Sequence, residues 1–130
     1  MGTSREVLVV DDDDDVRRVV CLLRHHGLEV REAAGRAEAV ALYRERRHSI
    51  GVVLLDVMMP DLDGPGTLAL LRVIDPFVRC CCLTGGSGGY STDELLPLGA
   101  LRVFPKPVPS YAELARTLKG IISAQEATEP

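Results

Sequence analysis

The stretch Val52-Val53-Leu54-Leu55-Asp56-Val57-Met58-Met59-Pro60 decides how this chain is read. Four apolar residues, two of them β-branched, run without polar interruption into a single carboxylate. Such a run predicts a strand buried on both faces, with Asp56 at its carboxyl end. In open α/β sheets, ligands bind in the crevice beyond the carboxyl ends of the strands, so Asp56 stands where this fold class places its chemistry. The plainer alternative is an Asp that only starts the turn Asp61-Leu62-Asp63-Gly64.

Nearer the N-terminus, Glu6-Val7-Leu8-Val9-Val10 is a second compact apolar run that ends in carboxylates, Asp11 and Asp12. A helix follows it: Val16, Val19, Val20 and Leu23 fall on one face, and Arg17, Arg18 and Arg24 on the other. Asp13, Asp14 or Asp15 can cap its start, and Gly27 suits a left-handed end after His25-His26. The two histidines are helix-end cations or, alternatively, metal ligands or proton carriers; neighbouring helical residues point in different directions, which favours the former. Leu28 to Ala33 is a short strand. Ala37, Val40 and Ala41 mark a helix whose end, Arg44 to His48, is basic; that basic end complements the helix dipole or forms a partner-binding patch.

After the central strand, Pro60 to Gly66 reads as a turn and Leu68 to Val73 as a helix closed by Asp75-Pro76. Val78 to Thr84 is a third apolar strand, followed by Gly85-Gly86-Ser87-Gly88-Gly89. A dinucleotide fingerprint counted from Gly86 would need Gly at position 91, which is Ser91, so the glycines predict a mobile loop instead. The helix expected over Ser91 to Leu98 is weakened by Pro97 and ended by Gly99. Leu101 to Phe104 is a short last strand, Pro105 to Pro109 forces an extended or turned path, and Ser110 caps a final helix. The buried stripe of that helix is Tyr111, Leu114, Ala115, Leu118, Ile121 and Ile122, with a polar tail from Ser123. Strands alternating with helices predict an α/β fold, a doubly wound five-stranded parallel sheet with helices on both faces and right-handed crossovers.

The 130 residues, 46% of them hydrophobic, suit one compact domain with a single core. With 15 Lys and Arg against 19 Asp and Glu, the net charge of -4 gives no basic field to attract nucleic acid or an anionic membrane. No apolar run approaches the roughly 18 residues of a membrane span, and the first residues lack the apolar core of a signal peptide. A cytoplasmic location is expected. Three of the four cysteines are consecutive, Cys80 to Cys82, which fits neither a disulfide framework nor a zinc spacing. They are expected to be core filler.

This topology gathers Asp11 and Asp12, Asp56, Thr84 and Lys106 along one edge of the sheet. Crowded carboxylates repel one another, and a divalent cation with oxygen ligands is their simplest partner. Mg2+, or Mn2+, held by one or two carboxylates, would be completed by a phosphate. A hydroxyl and an ammonium nearby are what a transferred phosphoryl group requires, with Asp56 as the attacking carboxylate.

Val9-Val10-Asp11-Asp12, Leu55-Asp56-Val57-Met58-Met59-Pro60 with Asp63-Gly64, Leu83-Thr84-Gly85 and Lys106-Pro107 together resemble the receiver domain of two-component response regulators. The resemblance covers nearly the whole chain, residues 1–125, leaving 126–130 as a polar tail. It implies the flavodoxin-like strand order 2-1-3-4-5 and an aspartyl phosphate formed at Asp56 from the phosphohistidine of a histidine kinase or histidine phosphotransfer protein. It further implies Mg2+ ligation by Asp12, Asp56 and the backbone carbonyl of Met58, with Asp11 supporting the metal through water. Thr84 becomes the switch hydroxyl and Lys106 the partner of the phosphate, with a Lys106-Pro107 bond that is commonly cis. Such a protein is a phosphoacceptor that acts only on itself, in phosphorylation and dephosphorylation, and not an enzyme on other substrates. Its output partner is unspecified, with no nucleic acid or membrane bound by this domain.

The pattern departs from the family around the switch. Receiver domains usually carry an aromatic three residues before the lysine, where this chain has Val103; its aromatic is Phe104, which should face the other way. With the glycines from Gly85 onward, this predicts an atypical output face. Two other readings compete. One is a phosphorylation-independent interaction module, a pseudo-receiver, against which the complete pocket argues. The other is a haloacid-dehalogenase-type phosphatase suggested by Asp11-x-Asp13, for which the chain is short. An EF-hand loop counted from Asp11 would need Gly and Glu where Val16 and Leu22 stand, so the aspartate run is not one.

Overall fold

The computed structural model describes residues 5–11, 16–57, 64–85 and 92–128. The elements in order are β1 (Glu6–Val10), α1 (Val16–His25), β2 (Glu29–Ala33), α2 (Arg36–Arg46), β3 (Ile50–Asp56), α3 (Gly64–Ile74) and β4 (Cys80–Gly85). Then come α4 (Thr92–Leu95), a 3-10 turn (Leu96–Leu98), β5 (Arg102–Lys106) and α5 (Tyr111–Thr128). All strand pairings are parallel and the order is β2-β1-β3-β4-β5, as expected.

Alternation along the strands divides the core into two layers. Leu8, Val10, Val53, Leu55, Cys80 and Cys82 face α2, α3 and α4, where Tyr43, Leu68, Leu71 and Leu95 meet them. Val7, Val9, Val52, Leu54, Cys81 and Leu83 face α1 and α5, against Val20, Leu23, Leu114 and Leu118. Because β1 and β3 are covered on both faces, every residue of each is buried, which is why they read as unbroken apolar runs. The three consecutive cysteines are buried free thiols in β4, and burial pushes the Cys81 thiol up to about 12, which keeps it protonated and inert at neutral pH.

Several boundaries differ from the sequence expectation. The turn expected over Pro60 to Gly66 ends earlier, because α3 already begins at Gly64. Pro65 is tolerated there, since a first-turn residue has no intrahelical acceptor for an amide. Gly64 is needed for close approach: a Cβ on it would lie 2.7 Å from Val57 Cβ. β5 runs through Pro105 to Lys106 instead of stopping at Phe104. As the edge strand it pairs only with β4, so a proline costs no second ladder. α4 is a single turn that tightens into the 3-10 segment holding Pro97, and Gly99 ends it at φ +111°. α5 continues through the Ser123 region to Thr128, into the stretch expected as tail. Ser110 caps that helix, its Oγ accepting from the Glu113 amide at 3.2 Å.

The basic end of α2 has an internal use that neither sequence alternative foresaw. Arg46 Nη2 donates to Glu6 Oε2 at 2.7 Å, and Arg31 Nε donates to Glu6 Oε1 at 2.6 Å. Glu6 begins β1 and is 4% exposed, so its charge is met by two guanidiniums at the edge of the sheet opposite the carboxyl ends.

Candidate functional site

Asp11 directly follows β1 and Asp56 is the last residue of β3, so adjacent strands deliver both carboxylates to the carboxyl edge. Backbone bonds hold both positions: the Asp11 amide donates to Ala33 O at 3.0 Å, and the Val57 amide, one residue past Asp56, donates to Leu83 O at 3.1 Å. Both acids are buried, at 2% and 1% exposure.

Lys106 closes this pair from β5. Its Nζ donates to Asp56 Oδ2 in a very short contact and lies 3.4 Å from Asp11 Oδ2. Burial opposes the ammonium charge, but the hydrogen bond and charge of Asp56, reinforced by Asp11, outweigh it and hold Lys106 above its usual value. The Lys106–Pro107 peptide is cis. Asp56 stands level with Leu83 in the sheet, and Thr84 and Gly85 stand level with Pro105 and Lys106. Thr84 is half-buried on the strand between the carboxylate and the lysine.

Val103 and Phe104 separate as the strand alternation requires. Val103 packs against the layer beneath α3 and α4, and Phe104 against the layer beneath α1 and α5. Alternation puts Val103 on the Thr84 side of the sheet and Phe104 on the other.

A cavity of about 340 Å³ opens beside Asp11, lined also by Arg18, Leu83, Lys106, Pro107 and Tyr111. Arg18 and Tyr111 are additions to the sequence-derived set. In the sequence Arg18 belongs to the solvated side of a helix and Tyr111 to a buried stripe, and only the packing of α1 against α5 brings them to one opening.

Of the metal ligands expected from sequence, Asp12 and Met58 lie outside the described residues, as do the Asp13 to Asp15 cap and the Gly86 to Gly89 loop. Among the described residues no group of three or more His, Cys, Asp or Glu side chains is arranged to hold a metal. The donor set nevertheless fits a hard cation: two buried carboxylates share one ammonium, and carboxylate oxygens are the ligands Mg2+ prefers.

Comparison with known proteins agrees with this geometry. Residues 7–119 match the model of the response regulator receiver domain. The chain is 36% identical over 131 residues to the sensor kinase CckA of Brucella abortus, covering 97% of this chain and 13% of that protein. It is 36% identical over 127 residues to the transcriptional regulatory protein PrrA of Mycobacterium tuberculosis, covering 97% of this chain and 53% of that one. Among solved structures, a response regulator receiver domain protein from Clostridium thermocellum superposes with a TM-score of 0.84 at 27% identity, covering 95% of this chain and 98% of that chain.

The chain therefore belongs to the response regulator receiver domain family of two-component signal transduction. It spans about half or less of the length of these curated relatives, in which the matching region is one part of a longer kinase or regulator. Among the described residues, no helix is long and apolar enough to cross a membrane.

Proposed function

We propose that this receiver accepts a phosphoryl group on Asp56 from the phosphohistidine of a histidine kinase or histidine phosphotransfer protein, in the cytoplasm, and that the acyl phosphate switches an output partner. The observation that carries the proposal is the buried pair Asp11 and Asp56 bridged by Lys106 at the carboxyl edge of the sheet. Residues 1–125 form the acting unit and 126–130 its polar tail.

Asp12, Asp56 and the Met58 carbonyl would hold Mg2+ or Mn2+, with Asp11 supporting it through water. When bound, the metal supplies positive charge that lets a carboxylate approach an anionic phosphoryl group.

A carboxylate oxygen of Asp56 attacks phosphorus in line; the new O–P bond forms as the P–N bond to the donor imidazole breaks, and the imidazole leaves with the electron pair. Lys106 then exchanges its hydrogen bond to the carboxylate for one to a phosphoryl oxygen, so one ammonium–anion contact replaces another. The Thr84 hydroxyl donates to another phosphoryl oxygen. Water later attacks the acyl phosphate, returning the carboxylate and releasing phosphate, so the protein's only chemistry is on itself. The cavity lined by Asp11, Arg18, Lys106 and Tyr111 supports this reading as an opening next to the lysine that bridges the acids.

Incubation with Mg2+ and acetyl phosphate tests the proposal by intact mass. One added phosphoryl group is expected in the wild type and none in Asp56→Asn. Failure of the wild type to gain mass with several small donors would favour the pseudo-receiver alternative.

A further inference from the structure

Among the described residues, the exposed large apolar side chains all belong to one stretch of the fold. Leu70 and Val73 are on α3, Phe77 follows it, Leu96 and Leu98 are in the 3-10 turn, and Leu101 precedes β5. Val73 is 80% exposed and Phe77 85%, against 40–45% for the others. Single exposed apolar residues are ordinary, whereas a contiguous set marks an interaction surface.

Two of them line a formed groove, and Phe77 directly follows its Pro76. Val73 and Leu98, with Pro65, Ala69, Pro76 and Pro97, line an open space of about 410 Å³ between α3 and the 3-10 turn. Arg72 ties the two walls, its Nη1 donating to Leu98 O at 2.9 Å. Gly99, in the left-handed region, leaves room for that guanidinium: a Cβ there would sit 2.8 Å from Arg72 Nη1.

Basic side chains stand both at the groove and at a separate crevice beside Phe77. Phe77 shares a crevice with Arg47 and Arg79, and Arg72 borders the groove itself. Asp75 lines the same crevice, its Oδ2 accepting from the Tyr43 hydroxyl and its Oδ1 from the Phe77 amide, both at 2.9 Å, so two guanidiniums there stand against one carboxylate.

We infer that this groove and the adjoining Phe77 ledge dock an amphipathic segment of a partner protein, its apolar anchors seated between α3 and the 3-10 turn and its acidic side chains facing Arg47, Arg72 and Arg79. Charge complementarity selects this occupant. Two copies pairing isologously through the face would set the guanidiniums of each against those of the other. Nucleic acid would leave the apolar strip unmatched. The groove walls follow β3 and β4, the strands carrying Asp56 and Thr84, but docking does not depend on Asp56 accepting a phosphoryl group.

The test is an NMR titration of the 15N-labelled chain with a synthetic amphipathic helix bearing Leu on one face and Glu on the other. Controls are the same peptide with Lys for Glu and a random-sequence DNA duplex. The Glu peptide is expected to shift amides in 69–79 and 96–101, and Phe77→Ser or Arg79→Glu to weaken it about tenfold, the size of one anchor residue. Phe77 is exposed and Arg79 half-buried, so the melting temperature of each variant is measured, and an unchanged value confirms that the fold is intact. The inference is overturned if the Glu peptide does not bind or shifts other regions, if the Lys peptide or DNA gives the same shifts, or if sedimentation shows a dimer that Phe77→Ser dissociates.

Discussion

Lys106, the last residue of β5, reaches across β4 to hydrogen-bond Asp56 at the end of β3, and the same ammonium stands 3.4 Å from Asp11. One cation thus compensates two buried carboxylates supplied by strands whose sequence positions are far apart.

Removing that cation leaves two acids that repel each other in a water-poor site. Lys106→Met is expected to lower stability in divalent-free buffer by about 1–3 kcal/mol, since breaking a buried ion pair strands its partner. Urea denaturation at neutral pH measures this.

A cation that binds the folded state alone stabilises it by mass action. Saturating Mg2+ is expected to raise the melting temperature of the wild type, with a gain of about 2.7 kcal/mol at a hundredfold excess over Kd. Asp56→Asn should lose most of that gain, and EDTA should reverse it. Differential scanning calorimetry with and without MgCl2 is the measurement.

Far from this site, Glu6 gives the fold an acid-sensitive contact. The Arg46 hydrogen bond outweighs the cost of burial and, with Arg31, holds the Glu6 carboxyl below its usual 4.5. A lowered folded value means that stabilisation is complete above about pH 4.5 and is lost as pH falls through the lowered value. Glu6→Gln should therefore melt below the wild type at pH 7, with the gap closing under acid conditions. Melting curves from pH 7 to about 3 would show it.

Close packing at the start of α3 leaves no room for a side chain. Gly64→Ala would bring a Cβ to 2.8 Å from the Val57 Cα, a backbone atom that cannot move aside like a side-chain tip. The expected cost is about 1–3 kcal/mol in urea denaturation, in the range of overpacking changes.

The sheet is legible in the sequence because its central strands are covered on both faces, so Glu6–Val10 and Ile50–Asp56 show no polar alternation. The opposite packing of Val103 and Phe104 follows from strand alternation alone. Local rules failed where tertiary context set the boundary. Pro65 and Gly66 look like turn residues yet lie in the first turn of α3, and Pro105 looks like a strand terminator yet sits on an edge. Beyond Ser123 the apolar spacing fades, but Ala, Gln and Glu are good helix formers and α5 continues to Thr128. The bridging lysine follows from topology, whereas the Arg31–Glu6–Arg46 cluster and the mouth residues Arg18 and Tyr111 depend on helix packing that no single motif encodes.

Borohydride trapping identifies the carboxylate that carries phosphorus. An aspartyl phosphate is reduced to homoserine, so the protein is phosphorylated with acetyl phosphate and Mg2+, reduced, digested and mapped by mass spectrometry. Homoserine at position 56 alone is the expected result. Homoserine at position 11 with Asp56 unmodified, or no reduction product from a protein that has gained phosphoryl mass, would rule out Asp56 as the acceptor.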